Sequence, residues 1–125
     1  MSQTARLPIA VAGLLALAAC ATVPQPPTEA MHAAEIAITN AEQARAADYA
    51  SPELTEARAK LVAARDAVTQ QQMTRAQHLA EQSRADAELA SAKAEAAKAK
   101  LVNDDMKKST DTLKQEMQRH TGARQ

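Results

Sequence analysis

Residues 51–68, "SPELTEARAKLVAARDAV", decide the fold. Ser51, Pro52 and Glu53 read as N-cap, first-turn proline and first-turn acid. The hydroxyl satisfies an orphan N–H, the proline gives up a donor that would have no partner, and the acid complements the helix dipole. Behind this start, Ala57, Leu61, Ala64 and Ala67 recur at spacings of three and four, which is one face of a helix. That face is nearly all methyl groups. Each is worth about 0.8 kcal/mol on burial, against about 1.5–3 kcal/mol for a leucine side chain. Such a helix is stable only against close-packed neighbours.

The neighbours are legible on both sides. Upstream, Ala34, Ile38, Ala41 and Ala44 show the same spacing 23 residues earlier, and Thr28-Glu29 reads as the N-cap and first acid of that helix. "ADYAS", residues 47–51, breaks the pattern, so a bend is expected between Asp48 and Pro52. Downstream, Ala76, Ala80 and Ser83 form a further copy whose fourth position is Asp86, with Ala87 beside it. "TQQQM", residues 69–73, has neither Gly nor Pro. Thr74 would cap a third helix, while a continuous helix through the glutamines competes with that turn. From Ala76 no breaker occurs before about His120. Ala80, Ser83, Ala87, Ala90, Ala94, Ala97 and Leu101 form a heptad seam. Beyond Leu101 the apolar stripe changes phase to Val102, Met106, Leu113 and Met117. A helix from Thr74 to His120 would be about 70 Å long, against about 30 Å for each of the first two, so it must overhang them. Surface pairs Glu56–Lys60 and Glu116–His120 fall at i, i+4.

Composition agrees. Alanine makes up about a quarter of the 125 residues, Tyr49 is the only aromatic, and the glycines are Gly13 and Gly122. The fold class expected is all-α: two short helices and one long one in an Ala-rich antiparallel hairpin or three-helix bundle, preceded by a signal peptide. Fifteen basic residues balance fifteen acidic ones, so no net field draws in nucleic acid.

The N-terminus carries the most specific chemistry. Met1 to Arg6 is polar with one positive charge, Leu7 to Leu17 is apolar, and Ala18-Ala19-Cys20 is small. This is the layout of a signal peptide, and the apolar run is too short to span about 30 Å of hydrocarbon. Leu17-Ala18-Ala19-Cys20 resembles the bacterial lipobox. That resemblance implies cleavage between Ala19 and Cys20, with S-diacylglycerol and N-acyl groups on Cys20. Two or more chains make a stable membrane anchor. Ala21 after the cysteine implies sorting to the outer membrane, facing the periplasm. "ATVPQPP", residues 21–27, is an extended tether.

"DYASPELTEARAKLVAARDAV" followed by "RAQHLAEQSRADAELASAKAEAA" resembles the small bacterial lipoproteins that carry domain of unknown function 4398. The resemblance runs from Ala34 to Lys100 and implies a helical domain over residues 28–100; the overhang makes residues 101–125 a C-terminal helical extension and tail. Where that family often has Gly in its second turn, Gln70 to Gln72 stand here. The family carries no assigned activity.

No constellation for catalysis is found. His32, His78 and His120 lack a second ligand at metal spacing. Ser51 and Ser83 have structural explanations, and no Gly-rich phosphate loop occurs. The chain is expected to be no enzyme, with no metal, no cofactor and no small-molecule substrate. Its expected role is a structural or scaffolding lipoprotein. It would meet an envelope protein, or a second copy of itself, through Val102, Met106, Leu113 and Met117. The alternatives are a trimeric coiled-coil spacer similar to murein lipoprotein and a chaperone-like periplasmic binding module. The closing Gly122-Ala123-Arg124-Gln125 lacks the terminal lysine by which murein lipoprotein is cross-linked.

Overall fold

The structure, a computed structural model, describes residues 25–123. The signal peptide 1–19, Cys20 with its cleavage point at Ala19, and residues 21–24 of the tether lie outside the described residues. Four helices follow: α1 (Thr28–Gln43), α2 (Ala46–Tyr49), α3 (Ser51–Thr69) and α4 (Met73–Gly122). No strand occurs among the described residues. The fold is all-α, a helical bundle with one long member.

α1 and α3 are antiparallel, α3 and α4 are antiparallel, and α1 therefore runs parallel to α4. The ion pairs fix these directions. Arg58 and Arg65 on α3 donate to Glu42 and Glu35 on α1, each at 2.6 Å. Lys60 on α3 donates to Asp86 on α4 at 2.6 Å, and Lys93 on α4 pairs with Glu53 at the start of α3. Pro27, Thr28 and Glu29 lie beside Gln77 and Glu81, so the start of α1 sits at the α3–α4 turn.

The core is the alanine seam. Ala34, Ala37, Ile38 and Ala41 of α1 are buried with Leu54, Ala57, Leu61, Ala64 and Ala67 of α3 and with Ala76, Ala80, Ser83, Ala87, Ala90 and Ala94 of α4. Small side chains let the helices approach, and packing rather than propensity stabilises α1 and α3, which are about 24 and 28 Å long. Ala46 and Ala50 close the end of the core.

Several local expectations are corrected. Thr28 and Ser51 are the first helical residues rather than caps; Pro27 and Ala50 occupy the cap positions and no side chain bonds there. Thr74 likewise lies inside α4, which Gln72 precedes. The break between the first two long helices is wider than Asp48 to Pro52. α1 ends at Gln43, Arg45 turns left-handed at φ 63°, α2 adds a single turn, and Ala50 opens the chain again before α3. Helix three is not continuous with helix two. Gln71, at φ 59°, makes the turn, and Gln71 and Gln72 donate their N–H groups to the carbonyls of Val68 and Ala67. These backbone bonds close α3 without the glycine such a turn usually uses. The seam is shorter than expected: its last buried residue is Ala94, and Leu101 is 53% exposed. Glu116 pairs with Arg119 at 3.1 Å rather than with His120.

Candidate functional site

α4 has 50 residues, about 75 Å of helix. α1 and α3 together with α2 cover only its first half. From Ala94 to Gly122 the helix runs on for about 42 Å, and every residue from Leu101 to Ala123 is exposed except the half-buried Asp104. This free length starts at the end of the bundle where α2 sits. The start of α1 lies at the other end.

The free length carries Val102, Met106, Leu113 and Met117, 58 to 69% exposed. At 100° per residue the four fall within about 60° of one another, so they make one stripe. The same geometry sets this stripe roughly 100° away from the buried alanine face of α4. The phase change read from the sequence therefore has a physical meaning. Leu101 continues the core face past the point where a neighbour exists, and the stripe that follows points elsewhere. Other exposed apolar side chains, Ile36, Val62 and Leu89, stand singly on the bundle, which is ordinary for a soluble surface. Four in a row on an unsupported helix are not.

Much of the remaining surface of the extension is charged, and several of the charges pair along the helix itself. Lys100 meets Asp104 at 3.1 Å, and Lys108–Asp105 and Lys114–Asp111 stand at 4.0 Å. Such pairs hold the helix by tenths of a kcal/mol each and leave the apolar stripe free. Thr110, Thr112 and Thr121 return their hydroxyls to carbonyls of the preceding turn, which reduces the number of unsatisfied polar groups beside the stripe.

On the bundle itself, a groove of about 560 Å³ runs between α1 and α4, lined by Ile36, Ala37 and Asn40 on one side and Arg84, Glu88 and Ala92 on the other. Its α4 wall lies on the same face as the stripe. His32 and His78 are exposed beside Glu35 and Glu81, each 3.8 Å away. Among the described residues no three His, Cys, Asp or Glu side chains come together as metal ligands. No helix among them is long and apolar enough to cross a membrane.

A family model described as Domain of unknown function (DUF4398) matches residues 29–106, well over half of the chain. The chain belongs to this family. The DUF4398 match begins in the first turn of α1, takes in the whole bundle, and ends at Met106. It therefore includes Val102 and Met106 but stops before Leu113 and Met117. No curated protein and no solved structure matches the chain.

Ala37, Ala46, Ala50 and Leu54 belong to the core although the periodicity did not single them out. Leu54 was within reach, three residues before Ala57 on the same face. Ala46 and Ala50 were not, because a one-turn helix has no period to read.

Proposed function

We propose that the protein is a lipid-anchored, periplasm-facing lipoprotein of the bacterial outer membrane with a structural or protein-interaction role and no catalysis. One observation carries the reading: the bundle presents its N-terminal end and its projecting helix at opposite ends. A chain held at Cys20 through a proline-rich tether would carry the α3–α4 turn nearest the bilayer. The stripe Val102, Met106, Leu113 and Met117 would then stand far from it, within reach of an envelope partner. Two or more acyl chains at Cys20 supply an anchor that no described helix supplies.

Mass spectrometry of protein extracted from membranes tests the anchor. The reading requires a mature N-terminus at Cys20 carrying acyl chains, and uncleaved precursor for Cys20→Ala. An unmodified thiol or an N-terminus elsewhere contradicts it. The interaction role is tested separately: Leu113→Asp should leave anchoring and helix content intact and abolish partner capture by envelope cross-linking.

A further inference from the structure

The α3–α4 seam repeats every seven residues. Leu54 and Leu61 on α3 are one heptad apart, as are Ala57 and Ala64; on α4 the same holds for Ala80, Ala87 and Ala94, and for Ser83 and Ala90. Sliding α4 along α3 by one heptad therefore brings like residues onto like places. The turn does not prevent it. Gln70 to Gln72 contain neither glycine nor proline, so an outward slip of α4 would unwind the last turn of α3 and add a turn to α4, and an inward slip would do the reverse. The buried Ser83 hydroxyl, which donates to the Ala57 carbonyl at 2.7 Å, does not choose a register either, because a helical carbonyl recurs at every turn.

The ion pairs do choose. Glu53 and Lys60 are seven apart on α3, and Asp86 and Lys93 are seven apart on α4. In the observed register Glu53 meets Lys93 and Lys60 meets Asp86. A slip one way sets Glu53 against Asp86. A slip the other way sets Lys60 against Lys93 and leaves Glu53 to Lys100. Only the observed register satisfies both pairs without a like-charge contact. The α1–α3 ladder lacks this property, since Glu35 and Glu42 are both acids and Arg58 and Arg65 both bases; a heptad slip there would keep one pair. Its register is held instead by the connection through the left-handed Arg45 and the buried Ala46 and Ala50.

We propose that Glu53, Lys60, Asp86 and Lys93 form a register lock that sets how far α4 projects beyond the bundle. Alternating charge at heptad spacing is a recognised way to specify one register among several that apolar packing permits. Exchanging the charges on α3 alone, in Glu53→Lys/Lys60→Glu, makes both pairs repulsive in the observed register. The new lysine at 53 then finds Asp86 one heptad away, and α4 moves outward by seven residues, about 10 Å.

Spin labels at Thr55 and Ser109 in the full chain, with Cys20 replaced by serine, read this directly by double electron–electron resonance. Both sites are exposed. The double variant is expected to lengthen the distance by about 10 Å. Adding Asp86→Lys/Lys93→Glu should restore the original distance. Glu53→Ala/Lys60→Ala should give two distances about 10 Å apart with helix content unchanged. A single unshifted distance in the charge-exchanged and alanine variants, or loss of helix in both, would overturn the proposal.

Discussion

Ser83 donates its hydroxyl to the backbone carbonyl of Ala57 across the α3–α4 seam at 2.7 Å, both residues fully buried. It is the one buried polar side chain among the described residues. A serine fits where alanines surround it because its volume is nearly theirs, and its hydroxyl is satisfied by a carbonyl on the facing helix. Ser83→Ala should therefore change stability by only about 1 kcal/mol, since the donor leaves and the Ala57 carbonyl keeps its place in the α3 ladder. Ser83→Leu should cost about 1–3 kcal/mol by forcing the helices apart. Thermal unfolding followed by circular dichroism checks both, at roughly 4–8 °C per kcal/mol for a domain of this size.

Leu54 is 1% exposed and is one of the two largest fully buried side chains. Leu54→Ala leaves a cavity that neighbouring methyl groups are too short to fill, and should cost about 2–5 kcal/mol. Leu113→Ala, on the free length, should change stability by less than about 0.5 kcal/mol. Urea unfolding of the two variants makes the comparison. A large effect at Leu113 in the monomer would mean that the extension folds back on the bundle.

Stability should be flat over the middle of the pH scale and fall at both ends. The Lys93 ammonium bonded to Glu53 holds that carboxyl below its ordinary 4.5. Its contribution is whole above 4.5 and fades as pH drops through the lower folded value. Lys60, bonded to Asp86, is held above its ordinary 10.5. Its contribution is whole below 10.5 and fades as pH rises through the higher folded value. Lys93→Gln should remove the larger part of Glu53's share of the acid limb, leaving what its backbone hydrogen bond contributes, and leave the alkaline limb in place. Chemical unfolding midpoints from pH 3 to pH 11 would read it.

Truncation after Asn103 should leave the unfolding of the bundle nearly unchanged. Among the described residues the last buried one is Ala94, and the ion pairs of those removed run along their own helix. Loss of several kcal/mol in the truncated monomer would contradict the extended arrangement.

Much of this was legible in advance, and the limits have physical causes. Ala57, Leu61, Ala64 and Ala67 were readable because a 3.6-residue period over 19 residues repeats several times. The overhang was readable because an unbroken helix outran its neighbours. The caps were misread. Thr28 and Ser51 have the chemistry of an N-cap, but Pro27 and Ala50 hold those positions, and cap preference is a bias of about 1 kcal/mol that packing overrides. Arg45 and Gln71 take left-handed backbone without glycine or asparagine, so residue type does not announce where the chain turns left-handed. The periodicity carries the seam on to Leu101 because it reports a face and not whether a neighbour stands opposite it. The stripe itself was legible as a phase change; what covers it was not, since apolar spacing carries no information about the other surface.

Site-specific photo-cross-linking in the native envelope tests the central claim most directly. A photoreactive residue at Leu113 should give a discrete adduct, and the same residue at Met106 and Met117 should give the same one. Val62, an apolar position on α3 that is 54% exposed, should give none. An adduct of twice the protein's own mass would identify a second copy as the partner. Equal cross-linking at Val62, or no adduct at any of the three stripe positions, would contradict the account.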